Sequence, residues 1–177
     1  MRISTATRVV TGGVALLLVV LGLSVGVTGS AEAQSAGFVD VDASDLDGSG
    51  SANKPYAITN ASELQAMEDD LDAHYELVNN IDASATGQWN DQSGFDPIGD
   101  GSEDFSGEFV GNQYTIKRLT INRGSSAEEV GLFGEVDSAL IKSVHLDSAK
   151  ISGNNSVGAL AGYLEADATI QNASMNG

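Results

Sequence analysis

Apolar and polar positions change texture several times along the chain. Val14 to Val27 is almost wholly apolar. Leu64, Met67 and Leu71 then recur at helical spacing, with Glu68, Asp69, Asp70 and Asp72 off their stripe. That spacing predicts one helix. Asn60-Ala-Ser-Glu63 ahead of it has the spacing of a capping box, and Ser62 is a second candidate cap. The helix is expected to end near His74. Tyr75 to Ile81 reads as a strand, followed by a polar loop through Asp91.

From about Phe95 the pattern repeats. Ile116-Lys-Arg-Leu119-Thr-Ile121, Ile141-Lys-Ser-Val144-His-Leu146 and Ile170-Gln-Asn-Ala173-Ser-Met175 align, with starts 25 and then 29 residues apart. Between them lie Val130-Gly131-Leu132-Phe-Gly134 and Val157-Gly158-Ala-Leu160-Ala-Gly162, 27 residues apart. Glycine-bounded apolar strands at this period predict a solenoid, because one coil cannot bury its apolar face alone. The small residues would let stacked backbones approach closely, and Leu132, Phe133 and Leu160 would fill the interior. The alternative is a β-sandwich with regular hairpins. No Asn-Gly or Asp-Gly turn separates the repeat strands, which weakens it.

The first apolar run is an address. Arg2 and Arg8 precede it, and Ala31-Glu-Ala33 follows as an A-x-A cleavage pattern, with Gln34 as the expected new terminus. An uncleaved membrane anchor is the competing reading. The chain of 177 residues therefore divides into a signal peptide (1–33), an acidic linker (34–54), an N-terminal cap of helix plus strand (55–94) and the repeats (95–177). The last strand of the repeat pattern stops at Met175-Asn-Gly177, so the front of a longer protein, with a C-terminal anchor or further coils beyond, or a truncated copy, is expected.

Charge narrows the partners. Without Arg2, Arg8 and Glu32 the exported part keeps 24 acids and 6 bases. Such a surface repels nucleic acid and anionic lipid, so no nucleic-acid partner is expected. Membrane contact is expected only through an uncleaved signal or a C-terminal anchor. The acids are spread over the whole chain, a pattern that resembles secreted proteins of extreme halophiles; an ordinary acidic extracellular protein is the alternative. Concentrated salt would screen their mutual repulsion. The chain has no cysteine, which excludes disulfides, thiolate zinc sites and a cysteine nucleophile.

Val130–Gly134 and Val157–Gly162 resemble the GLUG repeat of secreted bacterial and archaeal surface proteins. Gly48 to Ile58, Tyr75–Leu77 with Asn80–Asp82, Phe95–Gly99 and Phe105 to Ile116 are similar to the blocks that lead into such repeats. The likeness runs from about Gly48 to Gly177. Ala159 departs from it where a second glycine is usual, as does Val110 where Asp is common. The resemblance implies an all-β fold, a right-handed parallel β-helix-like solenoid with one short N-terminal capping helix, on an adhesin-type or cell-surface protein. It implies no active site.

No catalytic constellation is legible. Asp96, Asp100, Glu103, Asp104 and Glu108 could supply a carboxylate pair for glycan cleavage, but an acid-rich surface places such pairs by chance. His74 and His145 are the two histidines, and His145 aligns with Thr120 and Ser174 in the repeats, an outward polar position. Asp45-Leu-Asp47-Gly-Ser-Gly50 has the start of a calcium loop, yet Tyr56 stands where the closing Glu belongs. No resident cofactor is expected; calcium remains compatible with the acids, without a nameable ligand set. Asn60, Asn154 and Asn172 open N-glycosylation sequons, with Asn154 placed in a turn. The leading expectation is a non-enzymatic, exported spacer or adhesin-like module, extracellular or on the cell surface, facing glycan or protein ligands. The alternatives are a polysaccharide-degrading β-helix enzyme or accessory module, and the recognition region of a larger secreted protease.

Overall fold

The computed structural model describes residues 38–100, 102–124 and 127–177. The signal peptide expected over 1–33 lies outside them.

The described chain is mostly short strand, wound as a parallel solenoid of about three turns. One flank carries β1 (Tyr56–Ile58), β2 (His74–Leu77), β4 (Glu108–Val110), β8 (Leu140–Lys142) and β12 (Thr169–Gln171), neighbours in that order. A second carries β3 (Ile81–Asp82), β5 (Thr115–Lys117), β9 (His145–Asp147) and β13 (Ser174–Asn176). β6 (Thr120–Asn122) pairs with β10 (Lys150–Ser152), and β7 (Phe133–Val136) pairs with β11 (Ala161–Leu164). The strand pairings are parallel throughout. Parallel neighbours bring like positions of successive coils into register, so the core is built of residue columns. Tyr56, Tyr75, Phe109, Ile141 and Ile170 form one column. Ile81, Ile116, Leu146 and Met175 form another.

The coils turn on a five-residue unit. In the coil of β8–β10 the inward residues are Ala139, Ile141, Val144, Leu146, Ala149 and Ile151. Ser138, Ser143 and Ser148 sit at the corners with φ of 53°, 55° and 56°. A left-handed residue every fifth position bends the strand sharply enough to close the coil.

This unit corrects the repeat alignment. Ile141 and Ile170 do share a column, as do Leu146 and Met175. Ile116, however, pairs with Leu146 rather than with Ile141, whose partner one coil earlier is Phe109. The corner between Phe109 and Ile116 is two residues longer than the one between Ile141 and Leu146, with left-handed residues at both Asn112 and Gln113. The five-residue match therefore jumped to the next corner of the coil. Thr115, not Thr120, is the true counterpart of His145 and Ser174.

The solenoid also begins earlier than residue 95. β1 and β2, in the segment read as a cap, are the first rungs of the five-stranded flank. Residues 38–54 are packed rather than a flexible linker. Ala43 and Leu46 are buried, and the Ala57 N–H donates to the Asp47 carbonyl at 2.7 Å. Ala43 N–H donates to Asp69 Oδ2 at 3.1 Å.

The helix is shorter than its apolar stripe. α1 (Ala61–Gln65) passes into a 3-10 turn, Ala66–Asp69, and His74 opens β2 instead of closing the helix. Asn60 is the cap: its Oδ1 accepts from the N–H groups of Ser62 and Glu63, both at 3.0 Å. The Glu63 carboxylate reaches back to the Thr59 N–H at 2.7 Å, one residue beyond the expected box partner. Leu64 and Met67 are fully buried and Leu71 half-buried. The segment read as a polar loop holds two 3-10 turns, Ser84–Gln88 and Asn90–Gln92, around buried Trp89.

Candidate functional site

The repeat-motif residues converge at one station of the coil. Val130 bridges Val157 in parallel, and Phe133 pairs with both Ile98 and Ala161. The Gly134 N–H donates to the Ile98 carbonyl at 2.9 Å. Phe95–Gly99 therefore occupies in an earlier coil the place that Val130–Gly134 and Val157–Gly162 occupy later. A side chain on Gly134 would strike the Gly99 carbonyl oxygen, and one on Gly162 would strike the Val130 amide nitrogen. Glycine is required there because backbone stacks directly on backbone. Val130 and Leu132 are buried, while Gly131 and Gly158 would also meet backbone if given a Cβ. Leu160 is partly buried. These residues hold coil to coil; none carries a reactive group.

Chemistry-bearing side chains gather where the cap meets the coils. Gln65 Nε2 donates to the Asp96 carbonyl at 3.0 Å, and the Asp96 N–H donates to Gln65 Oε1 at 2.8 Å. Glu68 Oε1 accepts from the Gly99 N–H at 3.1 Å. Asp40, Glu68, Asp69, Asp96 and Asp100 line one cavity of about 350 Å³. Burial, reinforced by Asp96 and Asp100, pushes the Glu68 carboxyl up to about 8. Burial also raises Asp96, opposed by Arg123, which pairs with it at 2.6 Å. The cavity thus gathers five carboxyls, of which Glu68 is the one pushed up to about 8.

Of the acids expected for glycan cleavage, only Asp96 and Asp100 share this cavity. Glu103 is exposed, and Asp104 lies beside Glu135. Glu108 lies on the outer flank, between His74 at 3.1 Å and Lys142. The bond from Lys142 holds its carboxyl below the usual range. Glu68 was missed by sequence reading because it sits on the cap, about 30 residues from its partners; its position off the apolar stripe gave it a solvated appearance. His145 faces outward and pairs with Ser174 Oγ at 2.7 Å, apart from any acid of the cavity.

Among the described residues, no three histidine or acidic side chains converge on a metal position. No described helix is long and apolar enough to cross a membrane. Asn60 has its side-chain oxygen engaged as a helix cap, whereas Asn154 and Asn172 are exposed.

Comparison with known proteins adds a family. The model of the M26 IgA1-specific metallo-endopeptidase N-terminal region matches residues 51–177. The GLUG-like segments lie inside that match. Halomucin of Haloquadratum walsbyi is 40% identical over 139 residues, covering 73% of this chain and 2% of its own. A protein of Evansella cellulosilytica named as a Gly-rich membrane protein is 33% identical over 123 residues, covering 65% of this chain and 14% of its own. The chain thus spans a small part of the length of these relatives. No solved structure matches.

Proposed function

Because this chain belongs to the family of the M26 IgA1-specific metallo-endopeptidase N-terminal region, we propose that it is an exported surface module whose role is structural and adhesive. It is a solenoid spacer that presents polar flanks to glycan or protein ligands outside the cell. The observation that carries this reading is the continuity of the coil columns. The inward rows are apolar and stacked in register, while the outward rows are linked by side chains that cross from coil to coil. Asn112 Nδ2 donates to Glu76 Oε2 at 3.0 Å, Ser152 Oγ donates to Asn122 Oδ1 at 2.9 Å, and His145 pairs with Ser174. Such a body gains its stability along an axis and leaves its flanks free for contact.

The GLUG-type surface character, the extracellular address and the halophile-like charge belong to the same proposal. The cleavable signal at Ala33–Gln34 supports export, and the 24 acids of the exported part suit a concentrated-salt medium. Cell fractionation with an antibody to the solenoid tests the address. Recovery from the surface or medium, with Gln34 at the N-terminus by mass spectrometry, is the expected result. Confinement to the cytoplasm would overturn the reading.

One observation favours a second reading. Glu68, with its carboxyl raised to about 8, shares one cavity with Asp96 and Asp100, and glycan hydrolysis uses two carboxyls of which one is raised. Turnover of a polysaccharide that is abolished by Glu68→Gln would support it, and no turnover across acidic and neutral glycans would remove it.

A further inference from the structure

The hollows on this molecule differ in charge. The cap cavity is lined by five acids, and its neighbour by Asp96, Asp100, Glu128 and Glu129 against Arg123 alone. A third groove, of about 300 Å³, is lined by Ser84, Arg118, Thr120, Ser148 and Lys150. Its lining has two bases and no acid, on a chain whose exported part has four acids for each base, while Asp82 and Asp147 bond to Arg118, Ser84 and Ser148 at its edge.

The groove is produced by coil stacking. Thr120 and Lys150 are register partners on β6 and β10. Arg118 and Ser148 occupy equivalent corners one coil apart, with φ of 58° and 56°, and the Arg118 N–H donates to the Asp147 carbonyl at 2.8 Å. Ser84 enters from the turn after β3. Parallel coils lie about 4.8 Å apart, so the groove presents polar groups over roughly 10 Å. It continues into a hollow along β6 and β10 through Thr120 and Lys150, which line both. Arg123 and Lys142 are held by Asp96 and Glu108, whereas Lys150 has no ion-pair partner among the described residues. Arg118 is bound to Asp82 through one terminal nitrogen, and its guanidinium carries five N–H donors in all.

We infer that this groove binds a uronate unit of an acidic polysaccharide. The carboxylate of the sugar takes the Lys150 ammonium and the remaining Arg118 donors. The Thr120 hydroxyl exchanges hydrogen bonds with sugar hydroxyls, and those of Ser84 and Ser148, already engaged with Asp82 and Asp147, accept from them. Charge-assisted bonds of this kind are the stronger ones available to a surface groove. Long-range repulsion from the acidic surface does not oppose the contact in concentrated salt, where the screening length falls to about 3 Å at 1 M. The inference rests on the glycan-facing reading above and specifies its ligand.

Titration calorimetry of the purified protein in 1 M NaCl tests it, with a galacturonate oligomer and a neutral galactose oligomer of equal length. The galacturonate oligomer is expected to bind, and the neutral one to bind at least about tenfold more weakly. Lys150→Gln should weaken galacturonate binding at least about tenfold. Arg118→Asn, which keeps a residue tolerant of the left-handed corner, should weaken it in the same direction. Lys54→Gln, at an exposed base outside the groove, should leave it unchanged. Circular dichroism identifies any variant that fails to fold. Absence of galacturonate binding, or equal binding by wild type and Lys150→Gln, overturns the groove assignment. Equal binding of both oligomers, insensitive to Lys150→Gln, overturns it while sparing the glycan-facing reading. Cytoplasmic confinement, by contrast, would sink the surface reading without bearing on the groove.

Discussion

The first and last described coils use the same inward pattern under different cover. At the N-terminal end, Tyr75 and Leu77 are fully buried because β1, α1 and residues 38–54 cover them. In the coil of β11–β13 the equivalent stations are open. Leu146 is 2% exposed, while Met175, its partner in the same column, is 50% exposed. Val130 is 0% exposed and Val157, its bridge partner, 47%. Pattern decides which way a side chain points; a neighbouring coil or cap decides whether it becomes core. Transfer from water is what stabilises, and it requires that cover.

Substitutions can break this contrast. The largest effect should come from Phe133, whose ring lies 4.8 Å from Phe105 and 5.7 Å from Phe109. Phe133→Ala is expected to cost about 3–5 kcal/mol in denaturant unfolding at fixed salt. Next comes a matched pair from one column. Leu146→Ala should cost about 2–4 kcal/mol and Met175→Ala less than about 1 kcal/mol. Equal losses would mean that burial along the column is uniform, and the contrast would fail. At the covered end, Asn60→Ala should remove the cap bonds of α1 and cost about 1 kcal/mol, read from the same unfolding curves.

The covered end also carries a pH signature. The Glu68 carboxyl is raised from 4.5 to about 8, so the native state holds its proton more tightly than the unfolded chain. Its contribution is complete below about pH 4.5 and is lost as pH rises through about 8. Glu68→Gln should therefore flatten the fall in stability between those values and leave the protein more stable than wild type at pH 8. The outer-flank Glu108 works in the opposite sense. Its carboxyl is lowered, so its contribution is present above the ordinary carboxylate range and lost as pH falls through its native value. A Glu68→Gln profile parallel to wild type would show that the carboxyl is not held protonated by the cap.

Much of this architecture is written locally and was legible. The Leu64–Met67 stripe, the Asn60 cap and the glycine-bounded segments each depend on residues near in sequence. The phase of the coils was not, because Ile116–Ile121 and Ile141–Leu146 carry the same five-residue rhythm and only the long Asn112–Gln113 corner distinguishes their places in the coil. Packing of Ala43 and Leu46 was hidden among aspartates, where two small apolar residues give no periodic signal. The cap cavity was invisible for another reason. Glu68 meets Gly99 and Asp96 only through tertiary contact, and nothing in the local pattern separates it from its solvated neighbours.

Register is the central claim, and the absence of cysteine makes it directly testable. Thr115 and His145 are neighbours on adjacent parallel strands, about 4.8 Å apart, within the Cα range of a disulfide. The sequence repeat alone would instead place Thr120 beside His145. Two double variants should be oxidised mildly and scored by mass spectrometry: Thr115→Cys with His145→Cys, and Thr120→Cys with His145→Cys. The structure predicts rapid intramolecular bonding in the first and little in the second. The reverse result would contradict the coil register on which the columns, the groove and the buried interior all depend.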